Sequence, residues 1–296
     1  MSVDWLSWSN PVSIWWGCLL LVSSINVILW IAVARHLLKK NLRLEVLACL
    51  SAVYVFGCAF RAVLPRADVQ RICLFDNWLS SVLVGRSIAT VAEVCFAAQW
   101  AVVLYCLADS AQSGTVRKIA KGIVPLIILA ECCSWYAVIT TDYLGNTVEN
   151  SLWAATFLLI GAGLVVLLDK FEGVIQFAIR SALLGIVGYV AFMVMVDVPM
   201  YFERWQADAA AGKELLGLIA GLQDAGARWI VARNLARWEG EITWMTLYFS
   251  LAVWASLGLC GFALVKNVLH RYRKPTVRLT PRLRAYQPIS VRVDSG

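Results

Sequence analysis

WLSSVLVGRSIATVAEVCFAAQWAVVLYCLAD, residues Trp78 to Asp109, is long and apolar enough to cross a bilayer, yet it carries Arg86 and Glu93 well inside it. Seven residues separate the two, close to two helical turns, so on a helix they share one face, with Thr90 between them and Trp100 two turns further on. A charge facing lipid costs at least a few kcal/mol, so that face is expected to turn toward the interior of a bundle. This stretch therefore predicts a membrane protein with a polar interior site.

Composition agrees. The 296 residues are 60% hydrophobic and 15% charged, against roughly a quarter charged in a soluble domain, and the mean hydropathy is +0.72. The net charge of +7 is concentrated at the C-terminal end: from Asn267 onward seven basic residues face the single Asp294, which accounts for six of those charges. A basic tail beside a spanning helix answers to topology and anionic lipid, and no nucleic-acid-binding motif accompanies it. Eight of the nine cysteines fall in predicted spans, Cys73 being the exception, and no CxxC pair indicates a metal or redox site.

Taken in order, the chain predicts an all-α, seven-span membrane domain over residues 1–266, with spans at about 13–34, 44–64, 78–108, 119–140, 150–168, 177–198 and 241–265. The first span ends in Arg35, His36, Lys39 and Lys40, and Arg117, Lys118 and Lys121 follow the third. By the positive-inside rule these flanks and the tail after Lys266 are cytoplasmic, and the N-terminus lies outside. Pro125 is expected to kink the fourth span, and Pro65 and Pro199 to close the second and sixth. Asp142 and Glu149 bracket a short outer loop in this reading. The long outer connection is expected to hold an amphipathic lid over residues 205–238, with Leu215, Leu218, Ile219, Leu222 and Trp229 toward lipid or a cavity mouth. Residues 267–296 form a basic, proline-spaced tail expected to be disordered.

Depth along the spans sorts the polar groups. Glu93 and Glu131 fall near the midplane, whereas Arg61, Arg86, Asp197 and Glu241 fall in the outer half of four different spans. Tyr201, Glu203, Arg204, Glu149 and Trp244 stand at the rim of the outward-facing charged cavity that these groups imply. Arg86 is expected to be an anion or carboxylate partner, Glu93 a counter-ion or proton-coupled group, and Asp197 with Arg61 a gate or rim pair. Arg86 is expected near Asp197 or Glu241, since a direct reach to Glu93 spans two turns. Most of the fourteen tryptophans, Trp15, Trp78, Trp153, Trp205 and Trp229 among them, map to the outer side, which an aromatic belt explains only in part.

Several chemistries are excluded. The only histidines, His36 and His270, lie at the cytoplasmic side, so neither a haem nor a zinc site is expected in the bundle, and no cofactor is expected. The seventh span has no mid-span lysine for a retinal Schiff base, and Asp109-Ser110-Ala111 stands where a G-protein-coupled receptor places an acidic-Arg pair. Three classes remain: binding of a small molecule or lipid for transport or sensing; a membrane-embedded enzyme acting on a lipid, with Glu93 as base; and an assembly subunit pairing with a membrane partner. The absence of an Asn-x-Ser/Thr sequon favours a bacterial inner membrane.

Overall fold

The structure, a computed structural model, describes residues 10–38 and 42–272. Lys39 and Lys40 of the first basic flank and the tail from Arg273 onward lie outside them. Among the described residues seven helical runs are long and apolar enough to cross a membrane. The first five are α1 (Pro11–Leu37), α2 (Leu42–Val63), α3 (Val82–Ser110), α4 (Gly114–Thr140) and α5 (Tyr143–Leu168). The sixth joins α6 (Gly173–Phe192) to α7 (Val198–Ala210), and the seventh joins α9 (Glu239–Leu247) to α10 (Val253–Tyr272). A ten-residue α8 (Leu218–Ala227) lies in the long connection.

Local chemistry starts these helices where the sequence offers a side-chain acceptor. Asn10, Ser81, Ser113 and Asp142 each receive a backbone N–H of the first turn of α1, α3, α4 and α5, and Pro11 occupies the position where a missing N–H costs nothing. The Asp142 cap corrects the expected start of the fifth span: α5 begins at Tyr143, so Glu149 lies nearly two turns inside the helix rather than in a loop. Pro125 sits inside α4 without ending it.

Pro199 likewise does not end the sixth run. It follows a π-helical turn, Met193–Asp197, and falls in the first turn of α7, where a helix tolerates proline. A second π-helical turn, Tyr248–Ala252, interrupts the seventh run. There the Phe249 carbonyl accepts from Asn26 Nδ2 of α1 at 2.8 Å, while Asn26 Oδ1 accepts from Trp254 Nε1 at 2.9 Å. An amide from a neighbouring helix thus satisfies a carbonyl within the π turn.

Consecutive helices from α1 to α5 pack side by side, and α10 returns to lie against α1 and α2. The α2–α3 loop and the long connection meet at one end of the bundle in a small sheet. Its strands are β1 (Arg66–Ala67), β2 (Ile72–Cys73) and β3 (Ile230–Val231), with β2 antiparallel to β1 and parallel to β3. Arg71 ties this end together: Nε meets Asp224 Oδ2 at 2.8 Å and Nη2 donates to the Val138 carbonyl at 2.8 Å. The connection therefore lies on the bundle, but not as one lid helix. α7 extends the sixth run to Ala210, α8 is short, and Leu218, Ile219 and Leu222 remain exposed. Trp229 donates to Asp76 at 2.8 Å. Cys73, the one cysteine outside the predicted spans, is buried in β2.

Candidate functional site

Arg86 lies in the second turn of α3, and its Nη2 is the centre of the site. It meets Glu131 Oε2 of α4 at 2.6 Å, Glu93 Oε2 at 3.0 Å and Glu149 Oε1 of α5 at 3.3 Å. All four side chains are at least nine-tenths buried. The contact with Glu93 overturns the expectation that two turns are too far. Side chains on a helix lean toward its N-terminus, so Glu93 inclines toward Arg86 and the long guanidinium arm covers the remainder.

The carboxylates have further hydrogen-bond donors. Thr90 Oγ1 donates to Glu131 Oε2 at 2.6 Å and accepts from Trp135 Nε1 at 3.0 Å. Asn146 Nδ2 donates to Glu149 Oε2 at 3.1 Å, and the Tyr248 hydroxyl donates to Glu93 Oε1 at 2.9 Å. Oxygens of Glu93, Glu131 and Glu149 lie within 4.8 Å of one another, a grouping with the donor chemistry for a divalent cation. Arg86 Nη2 is bonded to all three, so the guanidinium itself supplies the positive charge at their shared centre.

Around this centre stands a second tier. Arg61 faces Asp68 at 3.8 Å and Glu93 at 4.0 Å, with its guanidinium 5.6 Å from the Trp244 ring centroid. It does not pair with Asp197, contrary to expectation. Asp197 instead accepts from Asn150 Nδ2 of α5 at 2.6 Å. Glu241 receives Trp244 Nε1 at 2.5 Å, Gln70 Nε2 at 2.8 Å and Arg204 Nη1 at 3.0 Å. Arg204 in turn lies over Tyr201, 5.5 Å from its centroid.

In the α2–α3 loop, Arg66 Nε meets Asp68 Oδ1 at 2.8 Å and Nη1 donates to the Ser81 carbonyl at 3.0 Å. A Cβ on Gly85 would land on the Arg66 guanidinium, so only glycine there allows the arginine to lie against α3. Burial draws the Arg66 pKa down to about 10 against the pull of Asp68. Burial alone would raise the Asp68 carboxyl, but Arg66, Arg61 and Arg86 outweigh it and hold it below its ordinary value. Burial pushes the Cys73 thiol up to about 11, which disfavours its thiolate.

One cavity of about 890 Å³ connects these groups. At the end near the long connection it is lined by Arg61, Arg86, Glu93, Glu149, Asp197 and Glu241, with Tyr201 and Trp244 beside them. It continues along α3 past Phe96 and Trp100 to Leu107, and between α6 and α10 to Phe177 and Phe262. Four lining residues hold a buried polar atom without a hydrogen-bond partner among the described residues: Tyr54 Oη, Arg86 Nε, Trp100 Nε1 and Asn146 Oδ1.

The expected site residues Arg61, Arg86, Glu93, Asp197, Tyr201, Glu241 and Trp244 all line this cavity. Glu131 stands behind it, reaching in through Arg86 and Thr90. Sequence reasoning put Glu149 at the rim and passed over Asn146, Asn150 and Tyr248. A signal for the first three was present. Starting α5 at the Asp142 cap puts Asn146, Glu149, Asn150 and Trp153 on one face at helical spacing. No known protein family, curated protein or solved structure matches the chain.

Proposed function

We propose that this chain is a membrane protein that binds an amphiphilic small molecule or lipid in the cavity between α3, α5, α6 and α10, for transport or sensing. The distribution of basic residues supports placing the charged end toward the outside of the cell and the cell membrane as its location. The observation that carries the reading is the polarity gradient of one continuous space. From Glu93 to Leu107 the α3 wall runs fourteen residues, roughly 21 Å at 1.5 Å per residue, and passes from the Arg86–carboxylate cluster to Val103 and Leu107. A molecule with one polar head and an apolar body matches that gradient, and mostly apolar walls with a few polar groups are the usual make-up of a ligand site.

An enzymatic reading with Arg86 stabilising an anion has less support, because its Nη2 already meets three carboxylates. The same geometry argues against Arg86 as the ligand's anion partner and favours it as the anchor of the carboxylate cluster.

Native mass spectrometry of the purified chain tests the proposal. The parent is expected to retain a bound amphiphile. Gly188→Phe adds a ring at a cavity-lining position where nothing lies within 4 Å of the new Cβ, so it is expected to fold, narrow the cavity and lose the bound mass. An unchanged bound mass in a folded Gly188→Phe protein would place the ligand elsewhere.

A further inference from the structure

The binding reading above leaves the chemistry of the head group open, and the charges around the cavity narrow it. Four guanidiniums, those of Arg61, Arg66, Arg86 and Arg204, stand against the six carboxylates of Asp68, Glu93, Glu131, Glu149, Asp197 and Glu241. Five of the six have an arginine nitrogen within 3.3 Å. Asp197 is the exception. Among the described residues no cation lies within 4.0 Å of it, its hydrogen-bond partner is the neutral amide of Asn150 at 2.6 Å, and it is 7% exposed. A buried carboxylate in a spanning helix needs a compensating cation or a proton.

A second observation points to what supplies it. Asn146, one turn before Asn150 on α5, gives its Nδ2 to Glu149 and so presents Oδ1, a pure acceptor, with no partner. Asn146 is 9% exposed and lines the same cavity as Asp197, as do the aromatic side chains Trp153 and Tyr189. A carboxylate with no paired cation, Arg204 being held by Glu241, an orphaned amide oxygen and aromatic neighbours together suit a donor-rich positive group, since aromatic rings attract cations. Asp197 closes one π-helical turn and Tyr248 opens the other, and π turns recur at functional sites.

We infer that the ligand is an amine-bearing amphiphile whose ammonium binds Asp197 beside Asn150 and Asn146, with its apolar chain between α6 and α10. That wall is thinly filled: a Cβ added at Gly185 or Gly188 of α6, or at Gly258 of α10, meets nothing within 4 Å. All three glycines line the cavity, which leaves room for a chain between the two helices.

The inference rests on the binding reading, and one experiment separates the two. The purified chain in lipid nanodiscs is exposed to hexadecylamine, hexadecanol and palmitate, each with a mid-chain diazirine, and cross-linked residues are mapped by mass spectrometry. The amine probe is expected to label cavity-lining residues of α6 and α10 about tenfold more than the alcohol or acid, the worth of one charge-assisted hydrogen bond. Asp197→Asn, which keeps the size and an acceptor for Asn150, is expected to abolish that preference and leave alcohol labelling unchanged. Equal labelling by all three probes in the parent overturns the ammonium inference while leaving the binding reading intact, and that comparison needs no variant. Amine labelling that persists undiminished in Asp197→Asn also overturns it, since the Asp197 charge would then be met by a proton. If no probe labels the cavity of the parent, both readings fail.

Discussion

The two walls of the cavity are built differently. On one side α3, α4 and α5 are riveted by Arg86 and its three glutamates, and thirteen residues of α5 are buried. Where α4 meets α5, a Cβ on Gly145 would lie 2.7 Å from both the Ala137 methyl and the Cys133 carbonyl oxygen. On the other side α6 buries only Ile179 and Ile186, its glycines face open space, and both it and α10 join their partner helices through π turns. A fixed polar wall facing a compliant apolar one suits a site that holds a head group in place while leaving room for a chain.

Removing the rivet is the severest way to test this contrast. Arg86→Met leaves three buried carboxylates around a missing cation, and breaking a buried pair by deleting one partner costs about 3–5 kcal/mol. The expected result in detergent is loss of most folded protein, read by thermal unfolding, with partial recovery when Glu131→Gln and Glu149→Gln are added. An Arg86→Met protein as stable as the parent would show that the cluster does not hold this wall.

Glycine substitutions sharpen the comparison at smaller energies. Gly145→Ala is expected to destabilise by about 1–3 kcal/mol, the usual effect of overpacking a filled interior. Gly188→Ala is expected to be neutral, or stabilising by up to about 1 kcal/mol through helix propensity, because nothing stands near its new methyl. Equal effects at the two sites would erase the distinction between the walls.

The loop above the rigid wall adds an acid limb. Because the folded pKa of Asp68 is depressed, its stabilising contribution is fully present above the unfolded value of about 3.9 and is lost as pH falls through the lower folded value. Melting curves taken from pH 6 to pH 3 are expected to fall more steeply for the parent than for Asp68→Asn. The mildest test reads exposure alone. In intact cells an impermeant maleimide is expected to label Gly212→Cys, on the exposed connection, and to spare buried Cys73. Labelling of Gly212→Cys only after the cells are opened would reverse the proposed orientation.

Part of the cavity lining was legible in the sequence. A charge within an apolar span has few places to go, so Arg86, Glu93, Arg61, Asp197 and Glu241 could be assigned to an interior cavity from span depth alone. Glu149 was not, because hydropathy marks the apolar middle of a span and ignores the polar first turns that Asp142 caps. The partners were misread for a related reason. Spacing along one helix tells which residues share a face, but the meeting of Arg86 with Glu131 and Glu149 depends on how α4 and α5 are rotated toward α3.

The sequence by itself therefore determined that seven apolar helical runs exist, roughly where each lies, and which face of α3 turns inward, because bilayer thickness and the cost of a buried charge act on each segment separately. Only the tertiary structure decided that Arg86 Nη2 is shared by carboxylates from three helices while Asp197 is left with a neutral amide. The same holds for the two π turns and for the thin wall between α6 and α10. Pairing, register shifts and packing gaps are set by the relative rotation and depth of neighbouring helices, and no single segment encodes them.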